Sequence, residues 1–383
     1  MMKVSFENII NKAGYIRADY KDDNHAHFIE FELNTPIFVR DDLIALSLAT
    51  LCGTKYKSIK MELTVSKITK QYIEIFTRAE IDIKLNDYSM IITKSQDNHT
   101  LNFSGGFDSM AALPFLPKGS SLVSMDFGGN FNREMAMINK FKSHTVKTNI
   151  LETDFRKNSW LFMTIASILY KDYLDTSYNI FGSIINAAFM QNSNFIKNFN
   201  TPYLIQGANM KNIPYTLALS EIGTIKVGCE NFPGLMDESL ISLANPKEEK
   251  RFRKQLLLEI EIERFGHNIE LSDKIKKPHR QYFKWGDNFL VDHLAIYIMK
   301  YRGYDTASLT IKDIPDEAFK LSQNLKLDFY DRYYTDVLKY IPSEFRLDYV
   351  RKMGEMNILP FEENDWKEYR QVIAYLSNFY PVK

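Results

Sequence analysis

The sequence predicts an α/β protein built on a parallel, doubly wound sheet, and three observations carry that prediction. From Ser89 onward, short apolar runs alternate with helix-length segments, the pattern of βαβ units. A Ser-Gly-Gly loop stands at the first strand-to-helix junction of that series. From about Asn245 the apolar residues recur with helical spacing. A chain of 383 residues holds two or three domains. We therefore expect an N-terminal mixed α/β domain over 1–88, a central α/β domain over 89–244 and a mostly helical region over 245–383.

The elements follow in order. Phe28 to Leu33, FIEFEL, alternates as a strand does. After Pro36, DDLIALSLATLCG reads as a helix. Asp41 and Asp42 suit its positive end and Gly53 its stop. SIKMELTV reads as a strand. YIEIFTRAEIDIKL favours strands, with a first half that can also begin as a helix. Then come MIITKS, TLNF, the loop SGGFDS, the helix MAALPFL, the strand SLVSMDF, the helix EMAMINKF and the strand TNILETDF. Two helices are expected at 159–172 and 179–198, followed by a strand PYLIQG that ends in GANMKN. Asn245, Pro246 and Glu248 look like the cap, first-turn proline and N3 acid of a helix that runs to Gly266. FLVDHLAIYIM, AFKLSQNL, FYDRYYTDVLKYI and WKEYRQVIAYLSNF continue the helical pattern.

Composition narrows the function classes. The 48 Lys+Arg balance 48 Asp+Glu, which speaks against a general nucleic-acid binder. Cys52 and Cys229 are the two cysteines, so no zinc ribbon or dithiol motif can be built, and their scarcity fits a reducing compartment. The first twenty residues contain no apolar h-region, and the longest apolar run, near Trp160 to Tyr170, is too short to span a bilayer. The expectation is a cytoplasmic protein that does not enter membranes.

The chemistry concentrates in Ser104-Gly105-Gly106-Phe107-Asp108-Ser109, between the strand TLNF and the helix MAALPFL. Paired glycines let the backbone approach an anion and tolerate positive φ. Successive N–H groups then form an anion nest, which the helix start reinforces. Ser104 and Ser109 offer hydroxyl donors. Asp108 would repel phosphate directly, but it makes sense as a ligand of Mg²⁺ bridging carboxylate and polyphosphate. A Walker A lysine and a GxGxxG spacing are both absent from the loop.

This loop resembles the SGGxDS loop of the PP-loop ATP pyrophosphatases, the adenine nucleotide α-hydrolase-like enzymes of the HUP fold. The resemblance covers roughly residues 89–230. It implies an adenylating ligase or amidotransferase-like enzyme using ATP and Mg²⁺. Such enzymes split ATP between the α and β phosphates, activate a carboxylate, amide or carbonyl oxygen, and let a nucleophile displace AMP. Asp126-Phe127-Gly128 and the following Arg133-Glu134 look most like the 7-cyano-7-deazaguanine synthase branch. The chain lacks that branch's zinc cysteines, the paired cysteines of the thiolases and the cysteine of a glutaminase domain. Ammonia would then come from solution or from a protein partner.

By the same resemblance, the catalytic residues are Asp108, Ser109 and Lys211. Ser104, Gly105, Gly106, Phe107, Asp108 and Ser109 hold the nucleotide's pyrophosphate, and Asp108 the metal. Ser124, Met125 and Phe127 lie near adenine, Asp126 contacts ribose or metal, and Gly207 and Asn209 close on the nucleotide. Lys211 either neutralises the departing pyrophosphate or is a solvated lysine. Phe127 is equally a core aromatic, and Asp126 reads first as a turn cap. Cys229 reads as a buried structural thiol. His25 and His27 have no evident third metal ligand. The segment from Asp273 to Asn288 mixes basic and aromatic residues, a pattern that suits an anionic or single-stranded nucleic-acid partner, a loop that packs on the α/β core and touches ATP phosphates, or, first of the three, a plain solvated connection. Two rival readings follow: a non-catalytic nucleotide-binding module of a multi-protein assembly, and a nucleic-acid-modifying enzyme.

Overall fold

The computed structural model describes residues 2–23, 25–86, 97–188 and 200–380. They fall into two compact units, each drawn from three stretches of chain. One comes from Met1–Ser104, Leu116–Phe181 and Asn200–Ile213, the other from Gly105–Phe115, Gly182–Phe199 and Pro214–Lys383. The expected strand MIITKS, the boundary at 88/89 and the part of the 179–198 helix beyond Ala188 lie outside the described residues.

The first unit is α/β. Its strands are β1 (Lys3–Lys12), β2 (Tyr15–Asp22), β3 (Ala26–Leu33), β4 (Ser58–Val65), β5 (Glu80–Leu85), β6 (Asn98–Asn102), β7 (Ser121–Asp126), β8 (His144–Thr148), β9 (Thr176–Ile180) and β10 (Lys211–Ile213). They form one sheet in the order β10-β9-β6-β7-β8-β3-β2-β1-β4-β5. Neighbours are parallel from β10 through β8 and again from β1 through β5. Only the β8–β3, β3–β2 and β2–β1 pairs are antiparallel. This large, mostly parallel sheet with packed helices is compatible with a Rossmann-like fold. The segment expected as a separate N-terminal domain thus shares its sheet with the βαβ series.

Alternation dictates which face is covered. In β4, Ile59, Met61, Leu63 and Val65 are buried while Lys60, Glu62 and Thr64 point outward. The buried face packs with the helix Asp41–Cys52, whose Leu43, Ile44, Leu46 and Leu48 are inaccessible to solvent. Asp42 reaches beyond its own helix. It accepts hydrogen bonds from the Ser66 N–H at 3.0 Å and the Thr69 hydroxyl at 2.5 Å. Burial opposes its ionisation, yet these bonds win and hold its carboxyl below the usual range.

Several expectations are corrected here. YIEIFTRAEIDIKL divides into a helix, Lys67–Thr77, and β5; Ser66 caps the helix through the Thr69 N–H. Thr69, Ile73 and Thr77 bury one helical stripe, which outweighs the β-branched composition. The run from Thr176 begins as β9 and becomes helical only at Ile185–Ala188. PYLIQG is a short helix, Tyr203–Gly207, and the strand comes after it, as β10.

The second unit is mainly helical. It contains the helices Phe107–Ala112, Glu221–Asn231, Met236–Leu243, Glu249–Phe265, Phe289–Arg302, Asp316–Asn324, Ser343–Glu355 and Glu363–Ser377. The helix expected to start at Pro246 starts at Glu249, because Lys247 takes a φ of 71° that no helix continues. Asn245 instead donates to the Glu248 carboxylate at 2.6 Å. FYDRYYTDVLKYI forms two short 3₁₀ turns, Asp328–Tyr330 and Thr335–Tyr340, rather than a helix. Leu327 before them has φ 66°, and the Glu368 carboxylate holds the N–H groups of Lys326 and Leu327.

Candidate functional site

The loop after β6 has the expected strand–turn–helix form. Phe103 to Gly106 follow the strand, and Phe107–Ala112 is the helix. Gly105 has φ 75°, a region that favours glycine, whereas Gly106, the N-cap, has φ −78° and needs none. The Ser109 hydroxyl donates to the Gly106 carbonyl at 3.0 Å and the Ser239 hydroxyl to the Gly105 carbonyl at 2.7 Å. The helix is shorter than MAALPFL suggests: at Leu113 it tightens to a 3₁₀ turn over Pro114.

Asp108 is the outer end of a charged frame within the second unit. Its Oδ1 accepts from the Thr224 hydroxyl at 2.9 Å, and its Oδ2 lies 3.7 Å from Lys254 Nζ. Lys254 is buried, 3.3 Å from Glu221 Oε1. Glu221 is paired at 2.9 Å with Arg253, which also donates to Glu249 at 2.7 Å. Burial opposes the Glu221 charge, but Lys254 and Arg253 overcome it and hold its carboxyl below the usual range. The chain of contacts Asp108–Lys254–Glu221–Arg253–Glu249 carries three carboxylates against two cations. Asp108 is its most exposed member, with a side chain 30% exposed.

That donor set fits Mg²⁺, which binds through one or two carboxylates and completes its shell with phosphate oxygens and water. Among the described residues no group of three His, Cys, Asp or Glu is placed to hold a metal ion by itself. His25 and His27 form no such site; the His25 N–H donates to Asp22.

Sequence reasoning missed four members of this region. Thr224, Glu221 and Lys254 lie more than a hundred residues from the loop, and the run Arg251 to Lys254 reads as an ordinary charged helical face. Gly182 was the fourth. A Cβ there would stand 2.6 Å from the Asp108 carbonyl carbon and the Ser109 nitrogen, so only glycine permits this approach to the helix start. The Phe181-Gly182 pair at the end of β9 was the available signal. Arg251 is also buried; among the described residues its Nε and Nη2 have no hydrogen-bond partner, and the Asp273 carboxylate is 3.7 Å away.

The remaining predicted residues lie in the first unit. The Ser124 hydroxyl is buried, donating to the Phe103 carbonyl at 2.6 Å and meeting the Ser143 hydroxyl at 2.7 Å. Met125 is in the core. Asp126 closes its turn by accepting from the Gly128 N–H at 2.9 Å. Phe127 packs edge-on against Phe131 and Phe162.

Gly207 ends a helix, and a Cβ there would meet Leu46 Cδ2 at 2.8 Å and Tyr72 Cβ at 3.1 Å. Packing explains that glycine. Asn209, at φ 55°, turns the chain, and Lys211 is the exposed first residue of β10. Because β10 runs parallel to β9 and β6, Lys211 stands at the amino end of its strand. The expectation that it follows a strand at the carboxyl edge is overturned. Both cysteines are buried and free, their thiols pushed up by burial. Trp285, in the basic and aromatic segment, is buried against Tyr375 and Phe379 and offers no stacking face.

No described helix is long and apolar enough to cross a membrane. Comparison with protein-family models, with curated proteins and with solved structures returned no match to this chain.

Proposed function

We propose that the chain is a PP-loop ATP pyrophosphatase of the HUP fold: an adenylating, ligase- or amidotransferase-like enzyme that converts ATP to AMP and pyrophosphate. The observation that carries this reading is Asp108, held by Thr224 at the head of a charged frame directly after a Ser-Gly-Gly turn. An acceptor oxygen attacks the α-phosphorus, the bond to the β-phosphate breaks, and its electron pair leaves with pyrophosphate. A nucleophile, ammonia in the amidotransferase case, then attacks the activated carbon and AMP departs.

The loop from Ser104 to Ser109 cradles the polyphosphate, with Gly105 keeping the backbone clear of side chains. Asp108 is the metal ligand, and bound Mg²⁺ supplies charge neutralisation on the phosphates. Thr224 fixes the Asp108 carboxylate. Lys254, in place of Lys211, supplies the positive charge facing the leaving group, and Glu221 and Arg253 keep it in position. The side chains of Ser124 to Phe127 are engaged in packing and turn bonds of the first unit and take no part in this reading.

The test is nucleotide product analysis by mass spectrometry, with purified protein, Mg-ATP and a small-molecule cell extract, beside Asp108→Ala. AMP and pyrophosphate that vanish in the variant support the reading, and a new mass identifies the acceptor. Equal AMP in both proteins removes Asp108 from the mechanism. No AMP in either, with ATP still bound, favours the nucleotide-binding module.

A further inference from the structure

Three asparagines line up across the parallel strands of the first unit. Asn102 is the last residue of β6, Asn179 precedes the last residue of β9, and Asn212 lies beside it on β10. Asn102 Nδ2 donates to Asn179 Oδ1 at 2.7 Å and to the Ile180 main-chain carbonyl at 3.0 Å. Asn179 Nδ2 in turn donates to Asn212 Oδ1 at 3.0 Å.

These bonds settle which way each amide faces. A main-chain carbonyl can only accept, so the Asn102 atom facing Ile180 must be the nitrogen. Both its N–H groups are then used, and the amide cannot flip without losing two bonds. Asn179 Oδ1 is fixed as an acceptor, which turns its own nitrogen toward Asn212. The remaining atom, Asn102 Oδ1, is buried and has no hydrogen-bond partner among the described residues. A buried acceptor left in that state is destabilising until a donor is supplied to it. It sits at the carboxyl end of β6, the edge where open parallel sheets bind ligands, two residues before Ser104.

We infer that Asn102 is a nucleotide-selecting residue, its locked Oδ1 accepting a hydrogen bond from an N–H or O–H donor of the bound nucleoside. The donor is the adenine 6-amino group or a ribose hydroxyl. This inference rests on the proposed nucleotide-binding function. The polarity of the ladder makes the position selective. A group that offers only acceptors would meet a carbonyl that cannot turn away, so acceptor-for-donor exchange is rejected rather than accommodated.

The experiment is calorimetric titration of the full chain with Mg-ATP, Mg-ITP, Mg-2′-deoxyATP and Mg-3′-deoxyATP. It compares the natural protein, Asn102→Leu and Asn212→Leu, with thermal melts of all three. In the natural protein we expect one analogue, the one missing the donor, to bind about tenfold more weakly than ATP. Asn102→Leu lowers ATP affinity to that analogue's level and removes the discrimination. Asn212→Leu, which leaves Oδ1 untouched, retains it. Equal binding of all four nucleotides by the natural protein overturns the inference without any variant, while the functional reading stands. Unchanged discrimination in a folded Asn102→Leu overturns it too. No nucleotide binding by the natural protein sinks the functional reading itself, and this inference with it.

Discussion

Two glycine-bearing turns, Ser104 to Ser109 and Gly207 to Lys211, look alike in the sequence and differ in what makes their glycines necessary. Gly105 is required by its own backbone, at φ 75°, at the carboxyl end of a parallel strand. Gly207 is required by its neighbours, Leu46 and Tyr72, at the end of a helix that precedes a strand. The first turn is followed by an acid tied to a buried ionic frame, the second by an exposed lysine. A glycine thus speaks for ligand binding only when the strand direction and the charged surroundings agree with it.

The largest expected effect tests whether the frame behind the first turn acts as one unit. Glu221→Leu leaves buried Lys254 with Asp108 alone, at 3.7 Å, and Arg253 with Glu249 alone, and should cost about 3–5 kcal/mol in urea unfolding. A loss below about 1 kcal/mol would mean that the ions are independent.

Next comes turnover. Asp108→Ala should reduce AMP formation by about 10²–10³-fold. Lys254→Met should follow it, and Lys211→Met should leave it within about twofold. Equal losses from the two lysine variants would erase the contrast between the turns.

The glycines themselves come third. Gly207→Ala should lower stability by about 1–3 kcal/mol through overpacking, with AMP formation per folded molecule preserved. Gly105→Ala should cost about 1–2 kcal/mol of backbone strain and lose the activity as well.

A pH series separates the helical unit's own acid response from the loop's chemistry. Burial raises Asp292 to about 6, although it accepts bonds from Tyr380 and the Gly286 N–H. Because its folded value is raised, its contribution is full below the ordinary carboxylate range and is lost as pH rises through about 6. Burial lowers the adjacent His293 to about 3, so its contribution is full above the ordinary histidine range and is lost as pH falls toward 3. The two slopes oppose each other between them. Asp292→Asn exposes the histidine's slope. The variant should lose about 1–2 kcal/mol more than the natural protein between pH 7 and pH 5, read from urea midpoints.

What the sequence made legible was local. The Ser-Gly-Gly turn, its flanking strand and helix, and the alternation of β4 depend on neighbours within a few residues. β1 and β2 escaped notice because the β1–β2 register shifts between Glu7 and Ile10, with Asn8 at φ 50°, and that bulge breaks the period of two. The Lys67–Thr77 helix is set by burial rather than by propensity. Lys254 was invisible because a lysine at the sixth position of a charged helix reads as solvated, and only the position of Glu221 and Asp108 makes it a buried partner. The asparagine ladder was hidden for a similar reason: its members meet through register, not through spacing.

The order of strands also bears on how the chain is made. β3 is an interior strand that pairs with β8, yet more than a hundred residues separate Leu33 from His144. On the ribosome, the half-sheet β1–β5 is complete while the β3 side still lacks its partner. At ordinary elongation that open edge persists for roughly 3–12 s after β5 is made. It is a row of unpaired main-chain groups that invites pairing with other nascent chains, so synthesis rate and chaperone supply, more than final stability, set the yield of folded protein.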